Sequence, residues 1–416
     1  MDPFASETSR QDAPGPSLAG TNLPDYRPRL PQRILILNWR DPSHPKAGGA
    51  ETLTMKWAQA WRDAGAKVTL FANAFRGCTP DAFENGIRIV RRGSPLTQWF
   101  RARAFDRQSG SFDLVVEEIN TLPFFSALWA HGRSVLVMHQ LARRVWFYET
   151  PWPIALMGYW AEPIYLRAYS HQPALVLSES TRHDLVKLGF RSDWIHVVPG
   201  AAAAVDQVVP PREEDPIFLY VGRLTASKRV DHIVRAFGIA HHELARRGLH
   251  IRLRIVGRGK REYVAKLKRL VEKAYLQNSV EFWGWMDRDW WSYDELRASH
   301  VLLLASVREG WGLVVTEANA VGIPAIGYAV PGLRDSIQDG RTGILTNKET
   351  PTALAKEMIR IATSRQLWDR LSSAARQDAV TRDWTNSQRQ AVGGLVAAVR
   401  QLDSKTSLQP GKPSNI

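Results

Sequence analysis

Two carboxylates and two glycines stand close together in the stretch Ser306-Val-Arg-Glu-Gly-Trp-Gly-Leu-Val-Val-Thr-Glu317. The apolar run 301–305 before it predicts a buried strand, and the apolar segment from Leu313 predicts a helix. A strand, a glycine turn and a helix place backbone N–H groups at a helix N-terminus, where an anion is stabilised. Glu309 and Glu317, with seven residues between them, suit the hydroxyl groups of a ligand. The stretch therefore predicts a site for a molecule with phosphates and hydroxyls, such as a nucleotide-sugar.

An ordinary strand-to-helix connection with solvated glutamates fits the spacing equally well. The following segments add information: Ala318-Asn-Ala-Val-Gly-Ile-Pro-Ala-Ile326, Pro331-Gly-Leu-Arg-Asp-Ser336 and Asp339-Gly-Arg-Thr-Gly343. With the first stretch, they resemble the donor site of retaining GT-B glycosyltransferases of the family-4 type. The resemblance implies that Glu309 is catalytic and holds the sugar's hydroxyls, and that Glu317 binds the ribose. It also implies that Gly312, Leu313 and Val314 lie at the donor.

Basic residues flank a second predicted strand-to-helix turn, Gly222-Arg-Leu-Thr-Ala-Ser-Lys228. Cations at a helix start oppose the helix dipole, so helix stability does not explain Arg223 and Lys228. The pattern resembles the same family, which implies that both residues bind the donor diphosphate. Arg229 departs from the glycine that is common at that position. Gly257 and Arg258, in Gly257-Arg-Gly259, resemble the family's nucleotide-facing loop.

The first half of the chain predicts a strand at 33–37, a glycine loop, a helix and a strand at 67–71. This βαβ unit places Gly48 and Gly49 at the carboxyl edge of a parallel sheet. A G-x-G-x-x-G fingerprint for a dinucleotide is absent. The segment His44-Pro-Lys-Ala-Gly-Gly-Ala-Glu51 resembles the family's loop that closes over the donor, which implies that both glycines contact it.

His139 ends a predicted strand at the same edge. An isolated histidine is more often structural, but the resemblance implies that His139 is the active-site histidine that supports the donor sugar. Glu117 and Glu118 are adjacent on a predicted strand, so their side chains should face opposite ways and cannot form a catalytic pair. The family's usual Pro-x-Gly is replaced by Pro199-Gly-Ala-Ala-Ala-Ala204.

The fold class that follows is α/β: GT-B, with two facing Rossmann-like doubly wound domains and a C-terminal helix crossing back to the first. We expect the following division: a disordered segment 1–30, an acceptor domain 31–205, a linker 206–216, a donor domain 217–383, a crossover helix 384–403 and a mobile tail 404–416.

The formal net charge of +14 is concentrated between Arg223 and Lys273, where fifteen basic residues face four acidic ones. Such an excess suits nucleic acid, an anionic membrane surface, an anionic substrate or a solvated face. No RNP-like or helix-turn-helix pattern accompanies it. The Trp/Arg-rich segment Arg143-Arg-Val-Trp-Phe-Tyr148 and the basic face with Lys266 and Arg269 suit peripheral attachment to the inner face of a membrane.

No run of 18 apolar residues and no N-terminal signal pattern is present, and Cys78 is the single cysteine. These features predict a cytoplasmic protein without spanning helices or intrachain disulfides. Asp287 and Asp289 precede a predicted helix and are interpreted as capping residues, so no metal is expected. No cofactor is expected either.

The expected function is a metal-independent, retaining, hexosyltransferase-type enzyme. It would move a sugar from a nucleotide diphosphate-sugar to a hydroxyl of a glycan or lipid-linked acceptor, such as a cell-envelope glycan precursor, and form an α-glycosidic bond. The alternatives are a GT-B sugar epimerase or phosphorylase, or a basic nucleic-acid-binding protein.

Overall fold

The computed structural model of the protein describes residues 30–203, 215–286 and 293–407. Two sheets of mostly parallel strands, each covered by helices, form the cores of two domains. Parallel strands buried on both faces require continuous apolar runs, and the predicted strands have that character. The predicted α/β architecture is therefore confirmed.

The first sheet has the order β3-β4-β2-β1-β5-β6-β7-β8. Its strands are β1 (Arg33–Leu37), β2 (Lys67–Ala72), β3 (Asp81–Glu84), β4 (Ile87–Arg91), β5 (Leu114–Glu118), β6 (Ser134–Met138), β7 (Ala174–Val176) and β8 (Ile195–Val197). Its helices are α1 (Gly49–Asp63), α2 (Gln98–Gln108), α3 (Ser126–Trp129), α4 (Trp146–Glu149), α5 (Trp152–Arg167) and α6 (Glu179–Lys187). Among the described strands of this sheet, only the edge pair β3–β4 is antiparallel. The sequence did not predict β3, because its four residues lack an apolar run.

The second sheet has the order β11-β10-β9-β12-β13-β14. Its strands are β9 (Ile217–Val221), β10 (Arg252–Val256), β11 (Val280–Gly284), β12 (Val301–Leu304), β13 (Ala325–Tyr328) and β14 (Gly343–Thr346). The helices of this half are α7 (Val230–Ala245), α8 (Arg261–Lys273), α9 (Asp294–Arg297), α10 (Leu313–Ala320), α11 (Leu333–Ser336), α12 (Pro351–Ala362) and α13 (Arg365–Thr381). Since β9 and β12 are neighbours, the loops that follow them share one edge of the sheet.

The C-terminal helix α14 (Trp384–Ser407) returns to the first domain, as predicted. Its residues Ala391, Val392 and Leu395 are buried in the core around α1 and the first sheet. Trp61 Nε1 donates to the carbonyl oxygen of Ala391 at 3.2 Å. The helix is longer than expected, because residues 404–407, assigned to a mobile tail, continue it. None of the described helices is long and apolar enough to cross a bilayer.

Of the segment 44–51, which the sequence assigned to a loop, residues 49–51 belong to a helix instead. Helix α1 begins at Gly49, with Gly48 as the N-cap in an extended conformation. The Gly48 N–H donates to Glu51 Oε2 at 2.7 Å, so a carboxylate in the first turn stabilises the helix start. Most of the predicted linker lies outside the described residues.

Candidate functional site

The glycine turn after β12 is held in one conformation by neighbouring loops. The N–H of Val307 donates to the carbonyl oxygen of Ser227 at 2.8 Å, and that of Glu309 donates to the carbonyl oxygen of Pro331 at 3.1 Å. A Cβ at Gly332 would lie 2.2 Å from the carbonyl oxygen of Glu309, so only glycine allows this close approach. The turn is thereby presented at the carboxyl edge of the sheet.

Helix α10 begins directly after this turn, at Leu313, and its N-cap is Gly312, whose φ is +82°. Among the described residues, no acceptor binds the N–H groups of Gly312, Leu313 or Val314. Glu317 is the fifth residue of the helix and is half-buried. The predicted strand, glycine turn and helix N-terminus are thus confirmed, and the helix end can stabilise an anion.

The Glu309 carboxylate is fixed by two donors. Lys228 Nζ lies 2.5 Å from Oε1, and Ser306 Oγ donates to the same oxygen at 2.6 Å. The carboxylate is 11% exposed and Lys228 is 20% exposed, so solvent screens this pair only partly. Lys228, predicted to bind phosphate, and Glu309, predicted to bind sugar hydroxyls, therefore lie in direct contact.

Arg223 and Arg258 are brought side by side because the ladder between β9 and β10 continues into their loops. The N–H of Gly222 donates to the carbonyl oxygen of Val256 at 3.0 Å, and that of Leu224 donates to the carbonyl oxygen of Arg258 at 2.8 Å. A Cβ at Gly257 would lie 1.8 Å from the carbonyl oxygen of Gly222, so this spacing requires glycine. The two predicted donor residues therefore share one sheet edge.

Arg40, which the sequence did not single out, adds a further cation from the first domain. It lies in the loop after β1 and pairs with Glu51, Nε to Oε1, at 3.8 Å. Burial lowers the pKa of Arg40, Glu51 raises it, and the nearby charge of Arg223 lowers it. The Arg258 guanidinium also reaches the first domain, where it donates to the carbonyl oxygen of Pro45. A cationic region therefore spans both domains. In the sequence, the only signal that could have identified Arg40 is its position directly after a predicted strand.

His139 follows β6 and is buried. Its Nε2 lies 3.3 Å from Oε2 of Glu118, and its Nδ1 is buried with no hydrogen-bond partner among the described residues. A Cβ at Gly310 would lie 2.6 Å from the carbonyl oxygen of His139. The structure therefore places the predicted histidine against the glycine turn of the other domain.

Glu118 is a second residue that sequence reasoning missed. Its Oε2 accepts hydrogen bonds from Asn38 Nδ2 at 2.6 Å and from Thr54 Oγ1 at 2.7 Å, besides its contact with His139. A carboxylate against an imidazole fixes the orientation of the ring. The prediction that Glu117 and Glu118 face opposite ways is confirmed, because Glu117 instead accepts from the backbone N–H of Ser126 at 2.8 Å.

Trp311 and Leu313 of the glycine turn pack into the core of the first domain. A Cβ at Gly200 would lie 2.4 Å from Trp311 Cδ1, and a Cβ at Gly49 would lie 2.9 Å from Leu313 Cδ1. Gly49 thus contacts the predicted donor motif, as does the loop with the unusual alanines. The side chain of Leu313 packs against the first domain, whereas its backbone N–H remains at the start of α10.

Arg229, the departure from the family's glycine, adopts a left-handed conformation with φ of +48°. Its buried guanidinium donates to the carbonyl oxygen of Ala305 at 2.6 Å and to that of Ser306 at 2.9 Å, and it pairs with Glu349 at 2.9 Å. These bonds hold the end of β12, so the side chain compensates for the backbone strain.

Polar contacts join the domains beside the site. The Ser227 N–H donates to Glu149 Oε1 at 3.1 Å, the Ser180 N–H donates to Asp335 Oδ1 at 3.0 Å, and Arg308 pairs with Asp184. Burial lowers the pKa of Arg308 to about 10. The two domains face each other across the residues described above.

The described residues contain no group of three or more His, Cys, Asp or Glu side chains arranged to hold a metal. Asp287 and Asp289, interpreted as capping residues, lie outside the described residues. The absence of a metal in this protein therefore stays a prediction.

Curated relatives match about half of the chain. A D-inositol 3-phosphate glycosyltransferase from Streptomyces scabiei is 30% identical over 206 residues, which are 49% of this chain and 46% of the relative. An N-acetyl-alpha-D-glucosaminyl L-malate synthase from Bacillus anthracis is 31% identical over 165 residues, 40% of this chain and 41% of the relative. The matched segments thus span less than half the length of these relatives.

Solved structures share the fold over nearly the whole chain. Sucrose-phosphate synthase from Thermosynechococcus elongatus has a TM-score of 0.70 at 18% identity and covers 91% of this chain and 99% of its own. Anabaena HepE, solved in complex with UDP and glucose, has a TM-score of 0.66 at 18% identity and covers 91% of this chain and 100% of its own. At this identity the likeness concerns the fold.

Two family models match consecutive parts of the chain. Residues 47–202 match the family described as Glycosyltransferase Family 4, and residues 203–378 match Glycosyl transferases group 1. The models meet without a gap, and the solved structures share the fold over 91% of the chain. The chain therefore belongs to the GT-B glycosyltransferases of the family-4 type.

Proposed function

We propose that the protein is a retaining glycosyltransferase that moves a hexosyl group from a nucleotide diphosphate-sugar to a hydroxyl acceptor. The observation that carries this proposal is the meeting of the Lys228–Glu309 pair with His139 at one glycine turn. The groups that we propose to bind phosphate and sugar hydroxyls thereby lie close together between the domains. This arrangement suits a donor that carries a diphosphate at one end and a sugar at the other.

Each group has a role in the proposed reaction. The bond between the anomeric carbon and the diphosphate oxygen breaks, and the leaving diphosphate gains negative charge. Arg223, Lys228 and the N–H groups at the start of α10 stabilise that charge as it develops, which lowers the barrier. Glu317 accepts hydrogen bonds from the ribose, while Glu309 and His139 bind the sugar.

In this proposal the anomeric configuration is retained, because the acceptor attacks the anomeric carbon from the same face that the leaving group departs from. The acceptor oxygen forms the new bond to the anomeric carbon, and its proton passes to the leaving phosphate oxygen. The product is an α-glycoside, and no covalent sugar–enzyme intermediate forms. Because side chains and a helix end neutralise the diphosphate, we propose that the reaction needs no metal.

The names of the two relatives mention different compounds, D-inositol 3-phosphate in one and L-malate in the other. We propose a glycan or lipid-linked acceptor for this chain, with the enzyme attached peripherally to the inner face of a membrane. The support from the sequence is the excess of basic residues and the Trp/Arg-rich segment after β6. A sugar epimerase or phosphorylase remains the alternative within the same fold.

A thermal-shift screen of UDP-, GDP- and ADP-sugars tests the donor. A ligand that binds only the folded state at about 100 times its dissociation constant stabilises it by about 2.7 kcal/mol. We expect one nucleotide series to raise Tm, with UDP-sugars tested first because HepE was solved with UDP. The Arg223→Ala/Lys228→Ala double variant serves as the control and should lose most of the shift.

Products from the stabilising donor then separate the alternatives. A transferase releases the nucleoside diphosphate only when an acceptor hydroxyl or water takes the sugar. A phosphorylase forms a sugar phosphate with inorganic phosphate, and an epimerase changes the sugar's configuration. If no nucleotide-sugar raises Tm, the proposed function is wrong.

A further inference from the structure

Helix α5 presents an apolar face outward from the first domain. Its inward positions are Ala155, Gly158, Glu162 and Leu166, which recur at helical spacing and are buried. The outward face consists of Trp152, Ile154, Leu156, Met157, Trp160 and Ile164. Four of these large side chains are between 65% and 69% exposed: Trp152, Met157, Trp160 and Ile164.

The extent of this face exceeds what scattered surface residues produce. At about 150–250 Å² per aromatic side chain, the two exposed tryptophans alone offer on the order of 200–350 Å² of surface. The largest apolar patch of a typical monomer measures about 300–600 Å² in total and is often functional. The four aliphatic side chains on the same helix enlarge the α5 face further.

No charge interrupts the face. The charged residues of α5 are Glu162 and Arg167. The Glu162 carboxylate points inward, where it accepts hydrogen bonds from the N–H groups of Ala142 at 2.6 Å and Arg143 at 2.7 Å. Arg167 is exposed at the C-terminal end of the helix. A helix that is apolar outside as well as inside differs from an ordinary amphipathic surface helix.

The underside of α5 is packed closely, so the face is a fixed surface. A Cβ at Gly158 would lie 2.5 Å from Cδ2 of Trp146, which shows how tightly the indole rests on the helix. The Arg143 guanidinium stacks 4.3 Å from the Tyr159 ring centre and donates to the carbonyl oxygen of Tyr159. The exposed side chains therefore stand on a rigid support.

Basic groups stand at both ends of the face. Arg144 lies before the helix and is 62% exposed, and its pair with Glu349 is long, at 3.7 Å. Arg167 lies at the C-terminal end of the helix and is also exposed. Glu149, which also lies before the helix, accepts a hydrogen bond from the Ser227 N–H of the second domain. Tryptophan and arginine around an aliphatic centre match the depth profile of a bilayer surface, with its acyl boundary and anionic phosphates.

We propose that the outward face of α5 inserts into the headgroup–acyl boundary of an anionic phospholipid bilayer, with Trp152 and Trp160 as anchors. In this proposal the membrane contact lies on α5. It does not lie on the basic face of α8 with Lys266 and Arg269, which carries charge but has no apolar centre. Glu149 joins the helix start to Ser227, the neighbour of Lys228. The attached enzyme thus holds its cleft beside the bilayer, so that a lipid-linked hydroxyl can enter it; this consequence rests on the proposed function.

Co-sedimentation with vesicles of phosphatidylglycerol and phosphatidylcholine tests the attachment. We expect the wild type to bind the mixed vesicles and to bind pure phosphatidylcholine less. The Trp160→Glu/Ile164→Glu variant should lower partitioning by about tenfold or more, because two charges enter the apolar boundary. Val380→Glu is the matched control, since Val380 is an equally exposed apolar residue (73%) on α13 of the other domain.

Lys266→Glu/Arg269→Glu distinguishes the two candidate faces and should change partitioning much less than the α5 variant. Circular dichroism melting should show that every variant keeps the Tm of the wild type within a few degrees. Equal binding by wild type and the α5 variant, or no binding at low salt, overturns the proposal. The proposal is also overturned if the wild type does not bind vesicles but forms a dimer by light scattering that the α5 substitutions dissociate. The α5 face would then contact a second copy of the chain.

Vesicle binding requires no turnover. Its failure therefore leaves the transferase proposal standing, and a donor screen without any Tm shift leaves the attachment standing.

Discussion

Nζ of Lys228 lies 2.5 Å from Oε1 of Glu309, and this ion pair joins the loops after the neighbouring strands β9 and β12. The two residues belong to separate sequence motifs, 81 positions apart. A donor whose diphosphate binds Lys228 and whose sugar binds Glu309 must contact both members of the pair. In the proposed function, the binding of the two ends of the donor would therefore be coupled through one contact.

Arg223 and Lys228 should each stabilise the leaving diphosphate in the transition state. Removing one charged contact to a developing anion costs about 2–4 kcal/mol of transition-state stabilisation, so Arg223→Ala and Lys228→Ala should each lower kcat by roughly 10²–10³. Arg235→Ala, at an exposed position of α7, should leave kcat unchanged. Initial rates of nucleoside diphosphate release measure the effect. Wild-type rates in a folded Arg223→Ala/Lys228→Ala variant would contradict the assignment.

Glu118 should act on catalysis through His139. Glu118→Gln removes the charge beside the imidazole but keeps hydrogen-bonding capacity toward Asn38 and Thr54, so the fold should persist. A lost or misaligned hydrogen bond to the donor sugar should lower kcat by roughly 10–100-fold for His139→Ala, and by less for Glu118→Gln. If Glu118 works through His139, adding Glu118→Gln to His139→Ala should cost almost nothing more. Additive losses would show independent roles.

Arg229 should contribute mainly to stability. Arg229→Ala leaves two buried carbonyl oxygens, of Ala305 and Ser306, without this donor and should lower the free energy of unfolding by about 2–4 kcal/mol. Arg229→Gly also removes the guanidinium but tolerates φ of +48°, so it should cost about 1 kcal/mol less. Urea unfolding measures both variants. An equal cost for the two would show that the left-handed backbone stores no strain.

Glu117 should make stability depend on pH. Burial raises the pKa of this carboxyl above its ordinary value of 4.5, although hydrogen bonds from Ser126, Phe124 and Tyr169 lower it. Since the folded pKa is the higher one, this stabilising contribution is fully present below pH 4.5 and is lost as pH rises through the folded pKa.

Glu117→Gln cannot lose a proton and should lack that decline, while Glu262→Gln, at an exposed position of α8, should keep it. Urea unfolding between pH 4 and pH 8 measures the difference between the variants. Parallel pH profiles for wild type and Glu117→Gln would exclude a titrating Glu117.

Chelation tests the proposed independence from metal. Arginine, lysine and the α10 N-terminus should neutralise the diphosphate without help, so excess EDTA should leave kcat unchanged within about twofold. A known Mg²⁺-dependent transferase assayed alongside serves as the control for chelation. Loss of activity that Mg²⁺ or Mn²⁺ restores would instead make Asp287 and Asp289 candidates for ligands, and their alanine variants would then be tested.

The sequence by itself determined the α/β class and most strands, because buried parallel strands require apolar runs that stand out from helical periodicity. It also marked Arg223 and Lys228, since cations at a helix start do not serve helix stability, while Glu309 was marked through the resemblance to a known family. Short or polar elements such as β3 were missed because they contain no apolar run. Helix α5 was missed because its residues are apolar on both faces and show no helical alternation.

Only the tertiary structure decided which of these residues meet. Sequence spacing carries no information on contacts between domains, so the approach of Gly310 to His139 and the position of Arg40 beside Arg223 could not be predicted. Glu118 looked like half of an adjacent pair, and its contact with His139 depends on the register of β5 and β6. Folding brings such residues together because each loop is held by its own strand, and the strands are ordered by the sheet.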